Sequence, residues 1–283
     1  MRHHPHLLSG LLAACAVVAV MSVAAAPAGA AVPHSSGPHS SGHQAAARAA
    51  AARQARAIAV TSIRRMTARW RHDAARPADG SRVTPATPIT STSWGGYADI
   101  SETFSKVGGK WAQPTITCSS STTAMATWVG FDGFSDGTVE QAGTLAECYE
   151  HTAYYYSWWE MYPTDAVQVE GETVAAGDAI TGSISRSGTA YTLKVTDATH
   201  TANSFSTTQT CAGCASASAE WIAGPTGDSG VGLAPITWTL TNATVTAGSV
   251  SGVISTFPYN RIVPTGGSTS SLNAAGNSFT VIF

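Results

Sequence analysis

From residue 88 to residue 283, apolar and polar side chains alternate in short runs, and this pattern more than any other limits the fold. The runs are Ala179–Ser185, Ala190–Val195, Ile236–Leu240, Ser249–Ile254 and Ser278–Phe283, separated by Gly, Asn, Asp and Ser. A period of two puts every second side chain on one face, which is the signature of a half-buried strand. No convincing helix and no internal repeat interrupts the series. The region is rich in Thr, Ser, Gly and Val, with very few Lys. It is long enough for one domain with a sizeable core. The expected fold is all-β, an antiparallel two-sheet sandwich or a barrel.

The first 87 residues differ in composition. Residues 1–30 read as a signal peptide: Arg2 and three His, an apolar run from Leu7 to Ala26, then the small-residue cleavage site Ala28-Gly29-Ala30. The competing reading is a transmembrane anchor, since the apolar run is nearly long enough. Residues 31–87 form a basic segment, with nine Arg against Asp73 and Asp79, a net charge of +7. Residues 88–283 carry five cations against fifteen carboxylates, a net of −10. Residues 45–70 are rich in Ala and Arg without Gly or Pro, so a helix is expected there. Ile63, Met66 and Trp70 recur at helical spacing on one face. Pro77, Pro85 and Pro88 follow as helix breakers. A basic arm can bind nucleic acid, but a secreted chain has little use for that. The favoured reading is a removable pro-segment that inhibits its own domain, attracted to acidic groups and released by acid.

Cys15 leaves with the signal peptide, so four cysteines remain. An even number in a secreted chain argues for disulfides, with three connectivities possible. We pair Cys118 with Cys148 and Cys211 with Cys214. The rival for Cys211-Ala-Gly-Cys214 is a zinc site, which needs two more ligands and free thiolates in an oxidising compartment. No metal or other cofactor is expected. Asn242-Ala-Thr244 is a glycosylation sequon, relevant only in a host that glycosylates.

The chemistry concentrates between Trp128 and Tyr162. This stretch holds three Trp, most of the Tyr and six carboxylates, with no Lys or Arg. Read as strands, Trp128, Gly130 and Asp132 share a face, as do Val139, Gln141 and Gly143. Tyr154, Tyr156, Trp158, Glu160 and Tyr162 share a third. An ordinary half-buried face with Tyr hydroxyls at its rim is possible. A groove for an extended ligand explains the mixture better. A second segment, Ala219-Glu220-Trp221-Ile222, sets a Glu among apolar neighbours, which is unfavourable unless the Glu is paired or functional. The alternative is a solvent-facing Glu on an edge strand.

Serine catalysis is a poor fit. Gly227-Asp228-Ser229-Gly230 resembles a nucleophile turn, but neither His151 nor His200 has a suitable context, and Asp-Ser-Gly is usually a turn. Paired-aspartate catalysis needs two Asp-Thr/Ser-Gly turns, and only Asp228-Ser229-Gly230 has that order.

Five motifs together resemble the glutamic peptidases of the eqolisin family, from Ser93 to about Thr246. They are Ser93-Trp94-Gly95-Gly96-Tyr97, Trp128-Val129-Gly130-Phe131-Asp132-Gly133, Glu140-Gln141-Ala142-Gly143-Thr144, Tyr156-Ser157-Trp158-Trp159-Glu160-Met161-Tyr162-Pro163 and Ala219-Glu220-Trp221-Ile222. The resemblance implies a concanavalin-like or jelly-roll-like sandwich with a catalytic dyad of Gln141 and Glu220 on a concave face. It implies Trp94, Trp128, Asp132 and Glu160 as supporting, substrate-binding residues. It also implies a secreted, pepstatin-insensitive acid endopeptidase that acts on proteins or peptides. Relatives often carry a second acid shortly after the Glu motif, whereas this chain continues Ala223-Gly224-Pro225. That departure leaves loop geometry and subsite preference open.

The expected organisation is therefore a signal peptide (1–30), a partly helical pro-segment (31–87) and a catalytic sandwich (88–283), monomeric and free of the membrane after signal cleavage. Two alternatives are a non-catalytic secreted sandwich that binds carbohydrate or peptide through its aromatic face, and a serine protease using Ser229.

Overall fold

The structure, a computed structural model, describes residues 39–73, 88–118, 124–134, 136–170, 174–226 and 236–283. The expected signal peptide and Ser229 lie outside the described residues, as does the side chain of Trp70. A first unit, Met1–Gly42, contributes only its last four residues to what is described. All else belongs to a second unit, His43–Phe283.

The helix α1 spans His39–Asp73. The strands follow as β1 (Ile89–Ser91), β2 (Gly95–Ile100), β3 (Phe104–Ala112), β4 (Ala124–Phe131), β5 (Val139–Tyr149), β6 (Thr152–Tyr162), β7 (Asp165–Glu170) and β8 (Ala179–Ser187). After these come β9 (Ala190–Asp197), β10 (Phe205–Thr210), β11 (Ser218–Pro225), β12 (Thr237–Ala247), β13 (Val250–Gly252), β14 (Tyr259–Pro264), β15 (Ser268–Thr269) and β16 (Phe279–Ile282). One sheet has the order β1-β14-β2-β11-β4-β5-β6-β7, and the other β10-β9-β8-β3-β12-β16-β15, with β13 paired to β12. All pairings are antiparallel except β1 with β14. This is the expected two-sheet sandwich. The Ser249–Ile254 run yields only the short β13 before a 3-10 turn at Ile254–Thr256.

The core between the sheets holds Val129, Phe131, Trp159, Leu193, Trp221 and Trp238. Trp221 ties the sheets together by donating its indole N–H to the Gly108 carbonyl at 2.8 Å. The expected bridges Cys118–Cys148 and Cys211–Cys214 are both formed.

The outer face of the first sheet is covered. Ala55, Ala59, Ile63 and Met66 on α1 are buried in one apolar cluster with Trp94, Trp128, Leu145, Tyr156, Trp158 and Ile222. Their spacing of four, four and three places them on one side of the helix. The two alanines bring the helix backbone close to the sheet. Consequently β4, β5 and β11 are buried on both faces, whereas β8 and β9 alternate between buried and partly exposed. Among the described residues, no helix is long and apolar enough to cross a membrane.

Candidate active site

Three central strands carry the key side chains. Register pairs Glu160 on β6 with Gln141 on β5, Gln141 with Gly130 on β4, and Gly130 with Glu220 on β11. Glu220 also pairs with Ala98 on β2, and Ala98 with Asn260 on β14. The six residues form one row across the sheet, on the face that α1 covers. Adjacent strands lie about 4.8 Å apart, so Gln141 and Glu220 stand about 10 Å apart at their backbones, with a residue lacking a side chain between them. A Cβ added at Gly130 would lie 3.1 Å from Gln141 Cβ. The bare position at Gly130 is therefore the floor of a slot between the amide and the carboxyl.

Glu220 is fully buried on a central strand, not on an edge. Its Oε1 accepts from the Phe134 backbone N–H at 3.1 Å and from Ser218 Oγ at 2.8 Å, while Oε2 has no hydrogen-bond partner. Burial holds its pKa well above the ordinary value. The Ser218 hydroxyl and Phe134 N–H counteract that effect, and the Asp132 and Asp136 charges reinforce it. The groove is thus arranged to keep Glu220 protonated while it is closed.

Gln141 donates from Nε2 to Glu160 Oε2 at 2.6 Å, leaving Oε1 without a partner. Glu160 fixes the amide orientation, and the second N–H of the amide is directed at Thr67 Oγ1 of α1 at 3.5 Å. Burial pushes Glu160 up to about 7, moderated by the Thr67 hydroxyl, the Gln141 amide and the Arg64 charge. Thr67 Oγ1 of α1 donates to the same Glu160 oxygen at 2.7 Å and sits 3.5 Å from Gln141 Nε2. One turn earlier, Ser62 Oγ reaches Glu147 Oε1 at 3.5 Å, and burial raises Glu147 to about 8. The helix therefore places two hydroxyls against two groove carboxyls.

The seat of α1 combines apolar, polar and charged contacts. Its buried face is apolar, and Arg48, Arg53, Arg56, Arg64 and Arg65 are exposed. Arg56 donates to the Val169 carbonyl. Apolar packing, the Thr67 and Ser62 hydroxyls, the Arg56 hydrogen bond and the Arg64 charge beside Glu160 all act where the helix is seated.

The supporting residues fall into two groups. Trp128 and Glu160 line the groove, and Trp94 closes one end edge-on to Phe134 at 6.2 Å. Asp132 does not continue the face of Trp128 and Gly130. It adopts a left-handed backbone (φ 64°) at the end of β4 and turns away. Its carboxylate accepts from the Ser216 and Ala217 backbone N–H groups at 2.7 and 2.5 Å, and from Thr138 Oγ1 at 3.1 Å. Asp132 thereby anchors the segment that leads into β11. Cys211–Cys214 lies just upstream, and Tyr191 donates from its hydroxyl to the Cys214 carbonyl. Glu140 faces the sandwich interior, where burial and the Asp132, Asp136 and Glu220 carboxyls hold it protonated, at about 11.

The other candidates are not brought together. His151 lies in the exposed β5–β6 turn at φ 62°. His200 packs against Asp178 and Asp197. That trio could approach a cation, but the Ala175, Thr199 and His200 backbone N–H groups already bond the Asp oxygens. The grouping of Glu140 with Cys211 and Cys214 offers no thiolate, because the cysteines are bridged. Sequence reasoning gave Gly130 a face but no role, and it missed Ser218, which bonds Glu220 two residues on, and Asn260, which only register identifies. It also missed Ala55 and Ala59, which the i, i+4 spacing could have revealed.

Comparison with known proteins bears on the family and the fold. The model of the peptidase A4 family matches residues 92–281. Aspergillopepsin-2 of Aspergillus niger is 26% identical over 220 residues, covering 68% of this chain and 78% of that protein. Scytalido-glutamic peptidase with a transition state analog inhibitor aligns with a TM-score of 0.54 at 20% identity, covering 67% of this chain and 97% of the other. SCP-B, a member of the Eqolisin family in complex with the tripeptide Ala-Ile-His, aligns with a TM-score of 0.50 at 19% identity and the same coverages.

Proposed function

This chain belongs to the peptidase A4 family, the glutamic peptidases, and from that premise we propose that it is a secreted acid endopeptidase, made as a latent precursor, that cuts peptide bonds with Gln141 and Glu220. The observation that carries the dyad is the register row: Gln141 and Glu220 lie on one face of the sheet on either side of Gly130, which has no side chain.

Among the described residues no Cys thiol or His-activated hydroxyl stands in the row of Gln141 and Glu220, so in this reading water attacks. Ionised Glu220 takes one proton from a water held between it and Gln141. The resulting hydroxide adds to the peptide carbonyl carbon, and the carbonyl oxygen becomes an oxyanion. Gln141 donates its free Nε2–H to that oxygen, while Glu160 holds the amide in place. Glu220 returns the proton to the leaving nitrogen, the C–N bond breaks, and one acid and one amine result. An ordinary Glu titrates near 4.3, which suits work in acid once the groove is wet.

Latency follows from α1. Thr67 Oγ1 fills the position beside Gln141 Nε2 and Glu160 that a substrate oxygen would take. Burial under the helix also keeps Glu220 protonated, so the base is disabled as well as covered. The sign of the pH effect separates two forces. Acid removes the long-range attraction between exposed carboxylates and the helix arginines. Yet Glu147 and Glu160 are raised in the closed form, so docking takes up protons and acid favours docking through these groups. Release therefore depends on cutting the connection to α1, not on repulsion in the groove.

The test is to acidify the purified precursor to pH 3–4, around the ordinary Glu pKa of about 4.3. Shortening of the chain and cleavage of an unfolded protein despite pepstatin support the reading, with Glu220→Gln inert in both assays. A folded, shortened domain without activity between pH 2 and 7 refutes it.

A further inference from the structure

Asn260 on β14 closes the row at the end opposite Glu160. It pairs with Ala98, which pairs with Glu220, so Asn260 stands two strands beyond the carboxyl as Gln141 stands two strands before it. The intervening residues are Ala98 on one side and Gly130 on the other, the two smallest side chains available. Glu220 is thus flanked by amides at equal strand separation, each behind a low floor. Asn260 shares the burial face of Ile262, which belongs to the groove cluster. It is 2% exposed, and neither its Nδ2 nor its Oδ1 has a hydrogen-bond partner.

An amide buried on a sheet face with both ends unsatisfied weakens the fold. A Leu or Val there would pack against Ile262 without that penalty. A buried amide of this kind calls for an explanation, and its place in the row of Glu220 and Gln141 supplies one. A primary amide both donates and accepts, and an extended peptide presents a C=O and an N–H to such a group. The dyad is equally buried in this form, so the opening that admits a peptide to Glu220 serves both positions.

We propose that Asn260 is a substrate-binding residue, which hydrogen-bonds the backbone of an extended peptide on the side of Glu220 away from Gln141. The inference rests on the dyad reading above. It assigns β14 a direct part in the site and sets the reach of the groove at five strands, from β5 through β4, β11 and β2 to β14, around one carboxyl. The recognised chemistry is the peptide backbone, so Asn260 contributes to length dependence and not to side-chain preference.

The experiment uses the acid-processed form of the full chain, as wild type, Asn260→Leu and Asn260→Ala. A set of peptides is lengthened one residue at a time on either side of a fixed scissile bond. The expected result is that wild type gains in kcat/KM when the peptide reaches the β14 side, and the variants lose that gain, about 3–10-fold for one neutral hydrogen bond. The loss appears in KM, short peptides are cut equally by all three proteins, and Asn260→Leu melts no lower than wild type. Variants with the wild-type length dependence overturn the inference. So does failure of both variants to fold, which marks Asn260 as scaffold. If wild type cleaves nothing, the dyad reading falls and this inference with it; if wild type cleaves and the variants match it, only this inference falls.

Discussion

Gln141 and Glu220 face each other across Gly130, each in direct register with it. The relationship makes one glycine the narrowest control point of the site. A methyl at residue 130 would rise between the amide and the carboxyl, with 3.1 Å to Gln141 Cβ and 3.1 Å to the Glu140 carbonyl oxygen. These contacts ask for shifts of tenths of an ångström, so Gly130→Ala should fold. Its kcat/KM should fall roughly 100-fold, the effect of about 1 Å of misplacement at a reacting centre. Gly143→Ala is the contrast. A Cβ there would lie 1.9 Å from the Thr127 carbonyl oxygen, which is backbone and cannot give way. Circular dichroism and peptide kinetics on the two variants separate them: one folded and slow, the other unfolded.

Latency should depend on the apolar seat more than on charge. Ile63 is fully buried in the groove cluster. Truncating a buried Ile to Ala removes about 2–5 kcal/mol of packing, so the uncut Ile63→Ala precursor should cleave a fluorogenic peptide at pH 5 where the wild-type precursor does not. Replacing the exposed pair Arg48 and Arg53 with Gln should leave latency nearly intact. Equal leakage from the two variants would restore charge as the main force.

Thr67→Val removes a hydroxyl of nearly the same volume. Glu160 then loses one of its donors while the helix still packs. The Gln141 amide still reaches the same Glu160 oxygen, so the loss is one hydrogen bond, about 0.5–1.5 kcal/mol, and the variant precursor should melt a few degrees lower and shorten faster in acid. Thermal melts of the Glu220→Gln background, which does not cut itself, measure the first effect.

The same inactive precursor should be most stable in acid. Glu147, Glu160 and Asp136 are raised to about 8, about 7 and about 6, in each case by burial first. As pH climbs past the ordinary carboxyl range, the unfolded chain loses these protons and the folded chain keeps them. Stability present at low pH is therefore lost progressively up to about pH 8. Melting temperature should fall continuously from pH 4 to pH 8. A flat or rising profile contradicts the buried, neutral state of these carboxyls.

Asp132 should act through geometry. Its carboxylate holds two backbone N–H groups at the entry to β11. Asp132→Ala should lower stability by about 1–3 kcal/mol in urea unfolding and reduce kcat, because Glu220 sits four residues beyond Ser216. A loss of activity without any loss of stability would place Asp132 in the reaction itself.

The sequence revealed the parts of this molecule that follow period. Strands β8, β9 and β12 each have one face towards the core and alternate accordingly. The face of Tyr154, Tyr156, Trp158, Glu160 and Tyr162 on β6 was equally legible. Strands β4 and β11 were not identifiable by alternation, since α1 covers their second face and both sides are buried. The nature of Glu220 stayed open for the same reason: an apolar segment with one Glu does not state whether it lies at an edge or in the middle. Asp132 was misplaced because a left-handed residue breaks the two-residue period at the end of the strand. Asn260 carries no local signal at all, and only register across three strands, β14, β2 and β11, brings it into line with Glu220.

The parallel strand β1 has a consequence for processing. Ile89, Thr90 and Ser91 pair with Ile262, Val263 and Pro264, and the Thr265 N–H donates to the Ser91 carbonyl. Loss of the chain up to residue 87 leaves this edge sealed. A cut only a few residues later would strip β1 from the sheet and bare the backbone of β14, and an unprotected edge strand is a template for another copy of the chain. The usable maturation window is bounded below by the helix and above by the onset of aggregation.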